Sequence, residues 1–257
     1  HGDTSQGSKE ILDIFHKEIF PNPKPVGLIK YLMGFALDKN DYVLDFFAGS
    51  GTTAHSVFEL NMEDQGERKF ILIQLPEKSS KDSLAKKEGY EVISEVTKER
   101  VRRVIHKISE TTNEEDVQKL DLGFKVFKLD SSNFKIWNGA KAKESLNLAE
   151  QLELFVNNIK ENRTELDLLY EIILKAGLEL TTNIETIKLE GKTIYSVSDG
   201  NLLICLADEV TQSLVRAMIN LEPVQVICLD QAFKENDQLK TNTALEMKSH
   251  KITFRTV

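Results

Sequence analysis

Val43-Leu44-Asp45-Phe46-Phe47-Ala48-Gly49-Ser50-Gly51-Thr52-Thr53-Ala54 decides the reading of this chain. The apolar run ending near Asp45 reads as a buried strand, Gly49-Ser50-Gly51 as a tight turn, and Thr52 onward as a helix start. Strand, glycine turn and helix in that order open a βαβ unit. Such a turn is where an open α/β sheet brings its backbone against a nucleotide-like ligand. Glycine suits it because positive φ costs little there and no Cβ blocks close approach.

Working outward, residues 41–46 are predicted as a strand and 52–60 as a helix, with 61–69 a polar loop and 70–74 (Phe-Ile-Leu-Ile-Gln) a second buried strand. Upstream, residues 8–20 carry Ile11, Leu12, Ile14, Phe15 and Ile19 at helical spacing, with Ser8 as N-cap. Pro21, Pro23 and Pro25 then impose an extended segment, and Pro25 suits the first turn of a helix over 26–37. Downstream, residues 91–108 place Ile93, Val96, Val101, Val104, Ile105 and Ile108 on one face, and Lys98, Glu99, Arg102 and Arg103 on the other.

Residues 109–116 (Ser-Glu-Thr-Thr-Asn-Glu-Glu-Asp) read as a polar break, and 123–129 alternate like a strand. Residues 146–159 repeat Leu148, Leu152, Phe155 and Ile159 at helical spacing, and 165–175 give another helix. From 185 the pattern turns to short strands. Residues 187–189 and 193–197 flank Glu190-Gly191-Lys192 as a hairpin, and the apolar runs 202–206 and 224–229 enclose a helix over 210–220. Strand, helix, strand implies a small parallel unit. The expectation is an α/β protein with a first domain over 1–120 and a smaller α/β domain over 121–257, the boundary falling within 110–145.

The 257 residues are enough to bury one large core or two modest ones. Charged residues make up 29% and the net charge is -8, which disfavours a surface that grips nucleic acid throughout. Cys205 and Cys228 lie in apolar runs and read as buried free thiols, and the five histidines share no metal-ligand spacing. No run approaches a membrane span and no secretory signal is visible, so the cytoplasm is the expected compartment. The chain opens His-Gly-Asp rather than with Met, which reads as a cloning remnant or an internal start, and a fragment is expected.

Gly49 to Ala54 fit G-x-G-x-x-A, a dinucleotide fingerprint, but the next strand ends in Gln74 where an acid is expected, with Glu77 three residues on. A phosphate-gripping P-loop is excluded because no Lys follows Gly51. A lone turn of this kind is equally a strand-to-helix connection that holds nothing; the surroundings weigh against that. Asp45 ends its strand and can accept from an ammonium group, while Phe46 and Phe47 can wall an adenine ring. Ala48, Ser50, Thr52 and Thr53 leave room and offer hydroxyls. Lys24, in Asn22-Pro23-Lys24-Pro25, can meet a carboxylate. An amine, a carboxylate and an adenosine together describe S-adenosylmethionine better than a pyrophosphate cofactor.

Asn22-Pro23-Lys24-Pro25-Val26-Gly27-Leu28-Ile29 followed by Asp45 to Thr53 resembles motif X and then motif I of the β-group DNA amino-methyltransferases. Arg68 to Glu77, Thr97 to Arg103, Gly123 to Phe134 and the tail from Leu229 to Asn242 resemble the modification (Mod) subunit of type III restriction–modification systems. The resemblance implies a Rossmann-like methyltransferase region. Lys24 and Pro25 would then lie at the methionine part of S-adenosylmethionine. Asp45, Phe46, Phe47, Ala48, Gly49, Ser50, Gly51, Thr52 and Thr53 would form the main cradle, and Gln74 would stand at the ribose position with an amide in place of the usual acid.

The family's Asp-Pro-Pro-Tyr catalytic motif, which holds and stacks the flipped base, occurs nowhere in these residues. In the β group that motif and the target-recognition region precede motif X, so the chain is expected to supply the methyl-donor half of a DNA adenine-N6 methyltransferase. No catalytic residue is assigned, and the fragment is expected to be inactive alone. The implied partners are DNA through the upstream part, a restriction (Res) subunit and a second Mod. An assembly role for residues beyond about 140, resting on 146–159 and 202–206, and an NAD-dependent oxidoreductase are the alternatives. The basic run Lys98, Arg100, Arg102, Arg103 and Lys107 reads as a solvated helix face paired with Glu95 and Glu99, His55 as a helix-surface residue, and Asp237 and Lys240 as a helix cap and an exposed cation.

Overall fold

Pro25 and Gly51 stand at helix starts as expected, whereas Ser8 is not an N-cap: the helix expected over 8–20 spans Thr4–Phe15, with Ser8 in its interior. The computed structural model describes residues 4–135, 158–234 and 236–257, and the chain divides into two units, His1–Phe124 and Lys125–Val257. The first unit runs α1 (Thr4–Phe15), an extended proline segment, α2 (Val26–Ala36), β1 (Tyr42–Asp45), α3 (Thr52–Asp64), β2 (Lys69–Leu72), α4 (Leu84–Lys87), α5 (Ile93–Thr111) and α6 (Glu114–Val117). Pro25 precedes α2, and the amide of Val26 is capped by the Glu10 carboxylate at 3.0 and 3.2 Å. Strands β1 and β2 are parallel, Tyr42 opposite Lys69 and Asp45 opposite Leu72, so β1–α3–β2 is one βαβ unit.

The core of this unit lies among α1, α3 and α5: Ile11, Phe15, Ala54, Phe58, Val96, Val101, Val104 and Ile108 are all buried. Each fully buried side chain of this size contributes roughly 1.5–3 kcal/mol. Both strands were expected to be buried. They are half-buried, on one face. Phe70 and Leu72 pack against the core, whereas Tyr42, Leu44 and Ile71 remain 45–49% exposed. The helices that cover β1 and β2 all contribute to a single core, and continuous apolar runs do not reveal how many faces are covered.

The second unit contains α7 (Glu165–Lys175), β3 (Ile184–Leu189), β4 (Lys192–Val197), β5 (Leu202–Cys205), α8 (Gln212–Ile219), β6 (Gln225–Cys228), a 3-10 turn (Asp230–Phe233), α9 (Asp237–Ser249) and β7 (Thr253–Thr256). Helix α7 starts in a capping box: Thr164 Oγ1 accepts from the Asp167 amide at 3.2 Å, and the Asp167 carboxylate accepts from the Thr164 amide at 2.8 Å. The strands form one sheet in the order β3-β4-β5-β6-β7, antiparallel through β5 and parallel from β5 to β7. The hairpin falls where it was expected, with Glu190 and Gly191 at φ 48° and 76°, the left-handed pair that a two-residue turn between twisted strands requires.

The β5–α8–β6 unit is parallel, as strand–helix–strand implied. Ile194, Val197, Leu203, Ile204, Val215, Met218 and Val226 fill the core of this unit, and Cys205 and Cys228 are buried free thiols opposite each other across β5 and β6. Residues 202–206, one reason for an assembly role, are thus interior to their own sheet.

Three further expectations need correction, and a fourth lies mostly outside the described residues. Residues 123–129 join no strand among the described residues; Val126 and Leu129 are exposed, and Phe127 instead meets the Tyr170 ring edge-on at 4.9 Å. Alternation makes a strand only where an edge is available to pair with. The polar break at 109–116 is narrower than drawn, because α5 continues to Thr111 and Asn113 caps α6 through the Asp116 amide at 2.9 Å. The helix expected over 146–159 lies outside the described residues up to 157, and Ile159 bridges Phe134 in extended conformation. Asn236, rather than Asp237, caps α9 by accepting from the Leu239 amide at 2.9 Å.

Candidate functional site

The glycine turn leaves the carboxyl end of β1 and is held by its own residues. Asp45 accepts from the Phe47 amide at 2.9 Å through Oδ1 and from Thr53 Oγ1 at 2.6 Å through Oδ2, so one carboxylate ties the strand end to the start of α3. The Ala48 amide donates to Ile73 O at 3.1 Å and the Gly51 amide to Ala48 O at 2.7 Å. Gln74, beyond the end of β2, accepts from the Gly49 amide at 2.8 Å. Gly49 and Gly51 have φ of 52° and 80°, so the left-handed conformation behind the sequence argument is present at both. A carboxylate has roughly four acceptor positions. Asp45 therefore keeps acceptor capacity for a cation after holding the turn.

Phe46 and Phe47 stand out from the turn, 60% and 84% exposed, while Ala48, Ser50, Gly51, Thr52 and Thr53 are buried beneath them. The proline segment meets the turn from the other side: Thr52 Oγ1 donates to the Lys24 carbonyl at 3.1 Å, with Lys24 exposed and Pro25 buried. The structure thus brings together all the residues singled out in the sequence, from Lys24 and Pro25 through Asp45–Thr53 to Gln74. Gln74 does something the sequence did not suggest. Its amide oxygen holds the turn, so the group it has left to offer outward is a donor.

The floor of the turn is α5, which the sequence argument left outside the site. Thr97 Oγ1 donates to Gly49 O at 2.6 Å, and a Cβ on Gly51 would lie 3.2 Å from Thr97 Cγ2 and 3.3 Å from Thr97 O. One turn along, Arg100 is completely buried. Its Nη1 donates to Ser50 Oγ at 2.9 Å and to Thr52 Oγ1 at 2.8 Å, and its Nη2 meets His55 Nδ1 at 3.3 Å and the Glu10 carboxylate at 3.7 Å. Among the described residues Arg100 Nε has no hydrogen-bond partner. Burial pushes the Arg100 guanidinium down to about 10, opposed by Glu10 and Glu59. It stays charged at neutral pH at a cost on the order of 3 kcal/mol.

Arg100 is therefore not on the solvated face assigned to it. Arg103 does pair with Glu99 at 2.8 Å, but it also donates to Ile14 O and lies 4.8 Å from the Phe15 ring centre, and Glu95 caps α5 rather than pairing along it. His55 is likewise not a surface residue. Only 12% of its side chain is exposed, with Nε2 at 3.0 Å from Glu59 Oε1 and Nδ1 facing Arg100. Burial lowers its pKa, Glu59 works against that and Arg100 adds to it, so it is held neutral. The Glu59 carboxyl is held down at about 2 by His55 and Lys30. Behind the turn, Glu10, Asp13, Lys30, His55, Glu59 and Lys107 line a charged hollow of about 260 Å³.

A signal for Arg100 existed. Val96, Arg100, Val104 and Ile108 follow each other at i, i+4, so an arginine occupies the apolar stripe of its helix. In the second unit, Lys240 pairs with Asp230, and Asp237 and Lys240 border an open hollow with Thr241, Phe254 and Arg255. Among the described residues no cluster of His, Cys, Asp or Glu is arranged to hold a metal ion, and no helix is long and apolar enough to cross a membrane.

Residues 2–87, which contain the proline segment, the turn and both strands of the first unit, match a DNA methylase family model. Over 261 aligned residues, 98% of the chain, it is 32% identical to the Mod subunit of the type III restriction–modification enzyme EcoP15I of Escherichia coli. It is 33% identical, over 96% of the chain, to the EcoPI Mod subunit of Escherichia phage P1. To the StyLTI Mod subunit of Salmonella typhimurium it is 48% identical over 123 residues, 48% of the chain. The chain spans 37%, 38% and 18% of those three relatives. With the glycine turn inside the family match and the similarity running on through both units, the chain is related over nearly its whole length to the Mod subunits of type III restriction–modification systems.

Proposed function

We propose that this chain supplies the methyl-donor half of a DNA adenine-N6 methyltransferase, within a Rossmann-like region to which the first unit contributes β1, α3 and β2. The observation that carries the reading is the gathering of the Asp45 carboxylate, the exposed Phe46 and Phe47 rings and the Gln74 amide at the carboxyl ends of two parallel strands, with the Lys24 backbone bonded to the same turn. These groups fit S-adenosylmethionine. Asp45 would accept from its ammonium, Lys24 would meet its carboxylate, Phe46 and Phe47 would wall its adenine, and the Gln74 amide would donate to a ribose hydroxyl in place of the usual accepting acid.

When bound, the cofactor supplies the electrophilic methyl group. The chain's own part is to orient that group and keep the turn rigid. The open face of β1 and β2, with Leu44 and Ile71 each 49% exposed, suits a layer packed on it by other parts of the protein, and the absence of Asp-Pro-Pro-Tyr from these residues assigns base-holding to those parts as well. The chain alone therefore methylates no DNA. In a type III system its partners would be DNA, a restriction subunit and a second Mod, and its place the cytoplasm.

Titration calorimetry with S-adenosylmethionine and, separately, NAD tests the reading. Binding of the methyl donor in preference to NAD supports it, and tighter binding of NAD overturns it. Methyl transfer to DNA by the chain alone would show that base-holding residues lie within it.

A further inference from the structure

The Arg100 guanidinium sits where three pieces of the first unit meet. It donates to Ser50 and Thr52 inside the glycine turn, faces Glu10, whose carboxylate caps the start of α2, and meets His55 one turn into α3. Thr52 passes the connection on to the Lys24 carbonyl, and Thr97 adds its bond to Gly49 O from the same face of α5. The two sequence segments that would contact the methyl donor, Lys24-Pro25 and Asp45–Thr53, are thus bonded to one buried cation that would not itself touch the ligand.

Hydroxyl groups at Ser50 and Thr52 can rotate, and a turn built from Gly49 and Gly51 has wide freedom of its own. Two charge-assisted bonds from one rigid fork remove that freedom. A buried arginine with an unsatisfied Nε carries a desolvation cost that its bonds only partly offset, so stability alone is a weak reason for it there.

We infer that Arg100 is a positioning residue: its guanidinium, through Ser50 and Thr52, holds the Gly49–Gly51 turn in the conformation that receives the methyl donor. This rests on the proposed cofactor reading, and its test separates the two. In the full chain, Arg100→Met and Arg100→Lys are compared with the parent by amide hydrogen exchange, S-adenosylmethionine affinity and urea unfolding. In Arg100→Met, exchange at Gly49 and Gly51 rises more than in the rest of the unit, and affinity falls about tenfold or more, beyond what the lower unfolding midpoint accounts for. Arg100→Lys, which keeps a donor, recovers part of both losses.

Unchanged exchange at the turn and unchanged affinity in Arg100→Met overturn the inference. So does a loss of affinity that merely follows a lower unfolding midpoint with exchange rising throughout the unit, since that is a structural role. If the parent chain binds no S-adenosylmethionine, the cofactor reading fails, and the exchange at Gly49 and Gly51 still decides whether Arg100 holds the turn.

Discussion

Gly51→Ala measures how tightly the turn is seated on its floor. Gly51 has φ +80°, and its added Cβ would lie 3.2 Å from Thr97 Cγ2 and 3.3 Å from Thr97 O. Gly89, in the same unit, has φ +92° with nothing within 4 Å of such a Cβ. Gly89→Ala therefore isolates the left-handed backbone cost, about 1–2 kcal/mol. Gly51→Ala carries the same cost plus the overpacking against α5, about 1–3 kcal/mol more. The expected total is about 2–5 kcal/mol for Gly51→Ala against about 1–2 for Gly89→Ala. Thr97→Ser removes the nearer of the two atoms and keeps the hydroxyl that bonds Gly49 O. In the Gly51→Ala background it should recover part of the excess. Urea unfolding of the parent, Gly51→Ala, Gly89→Ala, Thr97→Ser and the double variant, followed by hydrogen exchange in peptides of the first unit, gives each value. Equal costs at Gly51 and Gly89, or no coupling between Gly51→Ala and Thr97→Ser, would refute the argument that α5 supports the turn.

Further outcomes follow from the charge network and from the second unit. His55 is held neutral below its ordinary pKa, so it binds more protons unfolded, and its contribution is full above about 6.5 and lost as pH falls through the lowered value. Glu59, held at about 2, contributes above its ordinary 4.5 and loses that as pH falls toward 2. The unfolding midpoint of the first unit should therefore decline on both limbs, and His55→Gln should flatten the upper one; a midpoint independent of pH from 7 to 4 contradicts this. The Glu171 carboxylate accepts from Ser132 Oγ at 2.5 Å and the Asn133 amide at 2.6 Å, with Lys175 at 2.7 Å. Glu171→Ala should destabilise the second unit by about 2 kcal/mol in urea titration, and a loss below about 0.5 would mean that water replaces these bonds freely. Glu190 occupies a left-handed turn position at φ 48°, so Glu190→Asn should raise the unfolding midpoint of the same unit by a few tenths to about 1 kcal/mol, with a fall counting against the turn assignment.

Local pattern made most of the elements legible. The capping box at Thr164 and Asp167, the Glu190-Gly191 turn and Pro25 before α2 each act within a few residues, so their effects are written in the sequence around them. The errors fall where a distant partner decides. Residues 123–129 alternate correctly but meet no strand edge among the described residues, and Tyr170 claims Phe127 instead. Gln74 was placed by its position at a strand end, but its role in holding Gly49 depends on the register of β1 against β2.

The sequence by itself determined the glycine turn, the residues around it and the family, because φ preferences, apolar period and motif spacing are local properties of the chain. Only the tertiary structure decided what the turn rests on. Arg100 lies 50 positions from Ser50 and 48 from Thr52, so the apolar stripe of α5 can mark it as buried but cannot name its partners. Folding α5 beneath the turn removes water from that cation and leaves the two hydroxyls, His55 and Glu10 to satisfy it, which turns one member of a basic run into the fastening of the site.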